Sequence, residues 1–290
     1  MPLNEILIHS PLAFVLLAGI TGLLVGSFLN VVIWRLPKML ERDWREQAHD
    51  ILGLPGETPL PTYNLLLPHS QCPHCDHRIR AWENIPLLSY VFLRGRCSAC
   101  AAAISPRYPL TELACGLLSA FVAWHFGFGW PAGLVLVLSW GLLAMSLIDA
   151  EHQILPDVLV LPLMWLGLVV NSFGLFVSLH EALWGAIAGY GLLWSVFWLF
   201  KLITGKDGMG HGDFKLLAML GAWGGWQILP LTILLSSLVG AIIGLITLRL
   251  RHAKTSTPIP FGPYLAIAGW IALLWGGQIT DLYWQYVGLK

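Results

Sequence analysis

The residues of this chain best suited to chemistry are two aspartates that stand at the ends of apolar runs. Asp213 follows Gly210-His211-Gly212 within Gly205–Lys215 and comes just before an apolar run that starts at Leu216. Asp149 ends another run, Leu134–Ile148, in Ser146-Leu147-Ile148-Asp149-Ala150-Glu151. A carboxylate at the mouth of a membrane segment is expensive to keep there and marks a functional site by default. An acid in the last turn of a helix also opposes the helix dipole, so Asp149 is a poor choice for a purely structural residue. Gly210 and Gly212 remove side chains beside Asp213, permit an extended or left-handed backbone, and let another chain come close. Two such acids fit an aspartyl hydrolase dyad. They fit an ion-relay pair equally well, because intramembrane acids also line transport paths.

The cysteines form the second constellation. Cys72-Pro-His-Cys75 and Cys97-Ser-Ala-Cys100 are two Cys-x-x-Cys knuckles with 21 residues between them. Each knuckle offers two thiolates to one tetrahedral ion, and together they close a four-sulfur structural zinc site with no vacant position for catalysis. The competing reading is a pair of disulfides, which a reducing cytoplasmic compartment disfavours. His74 and His77 are read as solvated loop residues rather than substitute ligands. Cys115 lies alone in an apolar run and is read as a small buried hydrophobe.

The elements that must position these groups follow from composition. Of 290 residues 57% are hydrophobic and 11% charged, with a mean hydropathy of +0.71, outside the range of soluble domains. Several runs reach the length of about 20 apolar residues that crosses a bilayer. The chain is therefore expected to be an all-α polytopic membrane protein. Basic and acidic residues balance at 16 each, which gives no sign of nucleic-acid binding. No phosphate-binding glycine loop, no His-Glu-x-x-His and no dinucleotide fingerprint is present.

Residues 1–34 contain no Lys or Arg and carry an apolar run from Pro11 to Trp34, read as an uncleaved first span. Its end is rich in small and polar residues, and Asn30 is read as a helix-packing contact. Residues 35–110 hold nine of the sixteen basic residues and form a soluble insertion, the zinc-binding loop between spans one and two. Arg35 and Lys38 at the membrane edge put it in the cytoplasm by the positive-inside rule. Residues 111–290 are the candidate catalytic core, with apolar runs at 111–126, 131–148, 158–178, 183–203, 216–248 and 261–279. The run 216–248 is too long for one span, and reading it as two short ones brings the total to about eight. That topology puts Asp149, Asp213 and the basic segment 249–260 on the cytoplasmic face. Asp157, after Pro156, suits a helix N-cap, and Glu112 is placed to pair with an arginine.

With these residues in view the chain resembles the type IV prepilin peptidases. Gly210-His211-Gly212-Asp213 matches the Gly-x-Gly-Asp signature of intramembrane aspartic proteases. The resemblance extends to Gly26–Pro37, the double Cys-x-x-Cys, Ile104–Pro109, Ile148-Asp149 with Leu155-Pro156-Asp157, Gly208–Ala218, and Pro260-Phe261-Gly262-Pro263-Tyr264. It is similar to pseudomonad-type members, which serve both type IV pili and type II secretion. The resemblance implies a bifunctional enzyme of the bacterial inner membrane. Such an enzyme removes the basic leader of prepilins and pseudopilins after glycine, then methylates the new N-terminus with S-adenosylmethionine. It maps Asp149 and Asp213 onto the two catalytic aspartates and the four cysteines onto a cytoplasmic zinc site. The methyl-transfer site is not legible. The alternatives from residue chemistry alone are a proton-coupled transporter and a non-catalytic scaffold that recruits partners through the zinc loop.

Overall fold

The computed structural model describes residues 3–54, 61–251 and 260–287. Among them the chain is helical, with two isolated β-bridges and no sheet. In chain order the helices are α1 (Leu3–His9), α2 (Pro11–Leu52), α3 (Leu88–Phe92), α4 (Arg107–Phe126), α5 (Trp130–His152), α6 (Asp157–Ser172), α7 (Leu179–Thr204), α8 (His211–Gly224), α9 (Leu229–Arg251) and α10 (Gly262–Val287). Six are long and apolar enough to cross a bilayer: α2, α4, α5, α7, α9 and α10. Large apolar side chains such as Leu24, Trp124, Leu199 and Leu234 point outward from them. No water-soluble protein displays so many; the chain is a multi-pass membrane protein.

Each of the eight expected segments is a helix, but two are short. Helix α6 has 16 residues and α8 has 14, which at about 1.5 Å per residue fall below the hydrocarbon thickness of about 30 Å. The run 216–248 breaks where expected. Gly225 stops α8 with a left-handed φ of +75, and Pro230 falls in the first turn of α9, where its missing N–H is no loss. The run 158–178 is helical only to Ser172. At the other end, α2 does not stop with its apolar run but continues through Pro37 to Leu52, so the polar segment begins as a helix. Of the expected basic segment 249–260, residues 252–259 lie outside the described residues.

The chain divides into two compact units, 1–140 and 141–290. In the first, α2 packs along α4 through small residues; a Cβ on Gly26 would stand 2.8 Å from the Glu112 Cα. Asn30 donates to the Tyr108 carbonyl at 3.1 Å, the packing role expected of it. Among the described residues Glu112 finds no arginine. Its buried carboxylate accepts from the Leu87 amide at 2.9 Å and from the Ser27 hydroxyl, because the loop before α3 turns in over it. Cys115 is fully buried.

In the second unit α8 is the core, with eleven of its fourteen residues buried. Helices α6, α7, α9 and α10 pack around it. Gly185 on α7 meets Gly221 on α8 so closely that a Cβ on either would strike the other's backbone. The Trp223 indole donates to the Leu163 carbonyl at 2.8 Å. Asn171 then closes the C-terminal end of α8. Its amide donates to the Ala222 and Trp223 carbonyls at 2.9 and 3.0 Å, two of the carbonyls a helix end leaves without partners. Its carbonyl accepts from Phe176 and Val177 at 3.1 Å each, which folds 173–178 into a loop. Asn171→Leu keeps the bulk and strips these buried groups. It should lower stability by about 3 kcal/mol, visible as an earlier thermal unfolding midpoint in detergent. An unchanged midpoint would show that the Asn171 bonds are dispensable.

Candidate active site and metal centre

Asp149 and Asp213 both belong to the second unit. They are 6% and 7% exposed and close enough for the charge of Asp149 to act on Asp213. Asp213 is the third residue of α8, with Gly210 as the N-cap, where an acid is favoured by the helix dipole. Asp149 sits in the last turn of α5, where the dipole is against it. The structure answers that penalty with another helix. The Gly262 amide, at the start of the 26-residue α10, donates to Asp149 Oδ2 at 3.0 Å. Pro263, next in the chain, has no N–H to offer. A Cβ on Gly262 would lie 2.7 Å from Asp149 Oδ2. No other residue fits that approach.

The turn after α5 completes the pocket wall. Gln153 adopts a left-handed φ of 55 and donates to the Asp149 carbonyl at 2.9 Å, sending Ile154–Pro156 back over the helix end. Leu155 then wedges between two glycines. A Cβ on Gly212 would stand 2.8 Å from the Leu155 Cβ, and one on Gly262 would stand 3.3 Å from its Cδ1. Gly212 is thus required by packing inside α8. Gly210 is extended, at φ −77 and ψ 143, and a Cβ there would meet only Asp213 Oδ2, at 3.8 Å. It leaves the carboxyl bare on that side. Asp157 is not a cap. Pro156 occupies the N-cap, and Asp157, in the first turn, takes a two-pronged ion pair from Lys215 at 2.7 and 2.8 Å. That pair ties the starts of α6 and α8 together at the rim.

In the first unit the four cysteines converge. All five cysteines are free thiols, and the sulfurs of Cys72, Cys75, Cys97 and Cys100 lie within 4.8 Å of one another. Cys72–Cys100 and Cys75–Cys97 are 3.8 and 4.0 Å apart. A tetrahedral ion with metal–sulfur bonds of about 2.3 Å needs sulfurs about 3.8 Å apart, so the donor set could hold a metal. The two knuckles are copies offset by 25 residues, from Cys72 to Cys97 and from Cys75 to Cys100. The amides of Asp76 and Ala101 return to the carbonyls of Cys72 and Cys97 at 3.0 Å each. Both residues have positive φ, 55 and 57. The amides of Cys100 and Ala99 point at the Cys97 sulfur and draw its thiol down to about 6, toward the thiolate a metal needs.

Between the knuckles lies a contact the sequence did not announce. Glu83, with its side chain only 5% exposed, accepts from the Ser98 hydroxyl at 2.5 Å, from the Arg80 amide at 2.7 Å and from His77 Nε2 at 3.2 Å. The Arg80 amide and the Ser98 hydroxyl hold its carboxyl below the usual carboxylate range. His74 is exposed as expected. His77 is not simply solvated; it belongs to this tie.

These are the parts of a polytopic membrane protein with two buried candidate acids and a cysteine-rich insertion. Residues 20–126 match the bacterial peptidase A24 N-terminal domain, and residues 136–245 match the type IV leader peptidase family. The chain belongs to the type IV leader peptidase family. It is 71% identical to the prepilin leader peptidase/N-methyltransferase of Pseudomonas aeruginosa over the whole of both chains. It is 70% identical to the protein of the same name from Stutzerimonas stutzeri, over 98% of this chain and 99% of that one. A relative of that name in Aeromonas hydrophila is 56% identical over 94% of each. No solved structure matches the chain. Kinship at this level makes the protein an enzyme with peptidase and methyltransferase activity.

Sequence reasoning picked out both aspartates, both glycines and all four cysteines, but gave no role to Gly262, Leu155, Lys215 or Glu83. Gly262, Leu155 and Lys215 lie inside segments that carry the family resemblance, which is their only signal. Glu83→Gln should leave the cysteines in place while weakening the tie, lowering affinity for a thiolate-seeking divalent metal about 10- to 100-fold. Chelator competition on the purified protein checks this. A variant that holds metal as tightly as the parent would make Glu83 a loop residue with no bearing on the centre.

Proposed function

We propose that this enzyme removes the basic leader of type IV prepilins and type II secretion pseudopilins after glycine. It works at the cytoplasmic face of the bacterial inner membrane through Asp149 and Asp213, and then methylates the new N-terminus. The observation that carries the reading is a pair of buried aspartates on different helices of one unit, near enough for the charge of one to act on the other, with Asp149 held by the Gly262 amide. The relatives' names supply the reaction pair and the prepilin substrate.

Two like charges this close do not both ionise cheaply, so the pair shares a proton and titrates as a unit. The fixed N–H of Gly262 suits the partner that bears the negative charge, which assigns Asp149 to take a proton from the attacking water. Asp213 then holds the proton and polarises the scissile carbonyl. The bare flank at Gly210 admits the extended substrate backbone. As the tetrahedral intermediate collapses, the leaving amine receives a proton from the dyad. Cys72, Cys75, Cys97 and Cys100 would hold one structural Zn2+ within the cytoplasmic loop 35–110, and 111–290 forms the protease core. S-adenosylmethionine supplies an electrophilic methyl group to the freed N-terminus; no residue of this chain is assigned to hold it.

Asp149→Asn and Asp213→Asn should each cut leader cleavage at least about a hundredfold, since an amide neither ionises nor supplies the shared proton. Given an already cleaved pilin, both should still incorporate methyl groups. Normal cleavage by either folded variant would remove that residue from the mechanism. The placement has its own check. Reporter fusions at His69 and Lys206 should both read as cytoplasmic, and a periplasmic reading at Lys206 would put the acids on the wrong side for a basic leader.

A further inference from the structure

The cysteine loop carries an apolar stretch that its own packing does not use. Residues 84–93 hold no charged side chain and lie between Glu83 and Arg94. Helix α3 falls within this stretch, and its Leu88, Val91 and Phe92 are exposed, the last two at 71% and 81%. Trp82 and Ile85 extend the patch. Side chains of this kind on a surface mark a protein or a membrane contact.

Two transmembrane helices give the level at which the stretch lies. In the first unit α2 and α4 run antiparallel in a fixed register. Asn30 bonds to the Tyr108 carbonyl, and Gly26 packs on the Glu112 backbone. The Leu87 amide is tied into that register by its bond to Glu112 Oε2 at 2.9 Å, and the same carboxylate accepts from the Ser27 hydroxyl. Ser27 lies seven residues before Trp34, where the apolar run of α2 ends, which is about 10 Å at helical rise. Its side chain leans toward the N-terminus of α2, deeper still. One hydrogen bond away, Leu87 lies about 7 Å or more inside the apolar edge of α2. Helix α4 agrees, since Leu110 and Leu113, to either side of Glu112, are exposed apolar residues of a membrane span.

The backbone of the stretch suits that depth, where an unmet polar group has no water to turn to. Pro86 has no N–H. The amides of Ser89, Val91 and Leu93 return to the Ile85, Leu87 and Ser89 carbonyls at 3.0, 3.1 and 2.9 Å. The Leu87 amide, which the turn into α3 leaves over, is the one that Glu112 takes. Leu87 accepts a φ of 59 to reach it, a backbone strain that a bulky residue bears only under constraint.

We infer that residues 85–93 are a re-entrant segment, inserted into the leaflet on the loop's side of the bilayer, with Leu88, Val91 and Phe92 against acyl chains. Lipid is the partner because Leu87 is fixed at the level where α2 and α4 themselves face lipid. The insertion 35–110 is then not water-exposed throughout. Glu83 joins the two cysteine knuckles and stands at the mouth of the segment, so the four-sulfur site is held against the membrane surface. The inference depends on α2 and α4 crossing the bilayer, and not on the reaction assigned to Asp149 and Asp213.

The test uses the full chain in phosphatidylcholine nanodiscs. Val91, Phe92 or, as the aqueous reference, His69 is replaced by p-acetylphenylalanine, which takes a nitroxide without touching the cysteines. Molecular oxygen should relax the label at Val91 and Phe92 more than a water-soluble nickel chelate does, and the order should reverse at His69. Chelate access at Val91 and Phe92 equal to that at His69 would place the segment in water. Loss of access to both reagents would place protein over it. Either result overturns the inference. The unsubstituted chain gives a second reading that needs no variant. In discs whose lipid carries a diazirine in its acyl chain, irradiation should leave adducts on 85–93 as well as on the outer face of α4. Adducts on α4 with none on 85–93 would also overturn it.

Discussion

A carboxylate withdrawn from water needs a partner, and the hydrogen bond from the Gly262 amide to Asp149 is the one this fold is arranged to supply. Asp149 opposes the dipole of its own helix, so the donor must come from elsewhere in the chain. It comes from the start of α10, more than a hundred residues on. The approach is possible only because position 262 lacks a side chain. Leu155 seals the same space against both Gly262 and Gly212, which keeps the acids out of bulk water. Electrostatic effects strengthen in such a water-poor site.

Holding Asp213 opposite requires a helix that is short and rigid. Helix α8 begins with the Gly210 cap and ends at Gly225, and packing surrounds nearly all of it. Lipid gives little hydrophobic drive for helix association, so close backbone approach does the binding, as at Gly185 and Gly221. Asn171 satisfies the carbonyls at its far end, and Lys215 with Asp157 fixes its near end to α6. The position of one carboxyl is thus determined by contacts along the whole of α8.

The cysteine loop solves a different problem. It has few buried apolar residues of its own, and a segment of that kind needs a staple to hold a shape. Two copies of one turn supply four sulfurs, and Glu83 joins the copies through Ser98 and His77. Asp76 and Ala101 accept the left-handed backbone the turns demand. Ala101 does so without the polar side chain that eases it for Asp76.

The sequence by itself determined the class of the fold, since hydropathy and length alone require helices that satisfy their own backbone in lipid. It marked the candidate groups for chemistry too, because acids at apolar-run ends and paired cysteine knuckles are costly patterns with few uses. Short-range punctuation was legible in the same way: Gly225 and Pro230 divide the run 216–248 where the helices part. What it did not determine is which distant groups meet. The extent of α2 past Trp34, the early end of α6, the partner of Glu112 and the role of Asp157 depended on neighbours that periodicity does not encode. Only the tertiary structure brought Gly262 to Asp149, Leu155 between two glycines, and Glu83 between two knuckles. Each is a contact between segments far apart in the chain, settled by the space the packed helices leave and by the unmet hydrogen bonds within it.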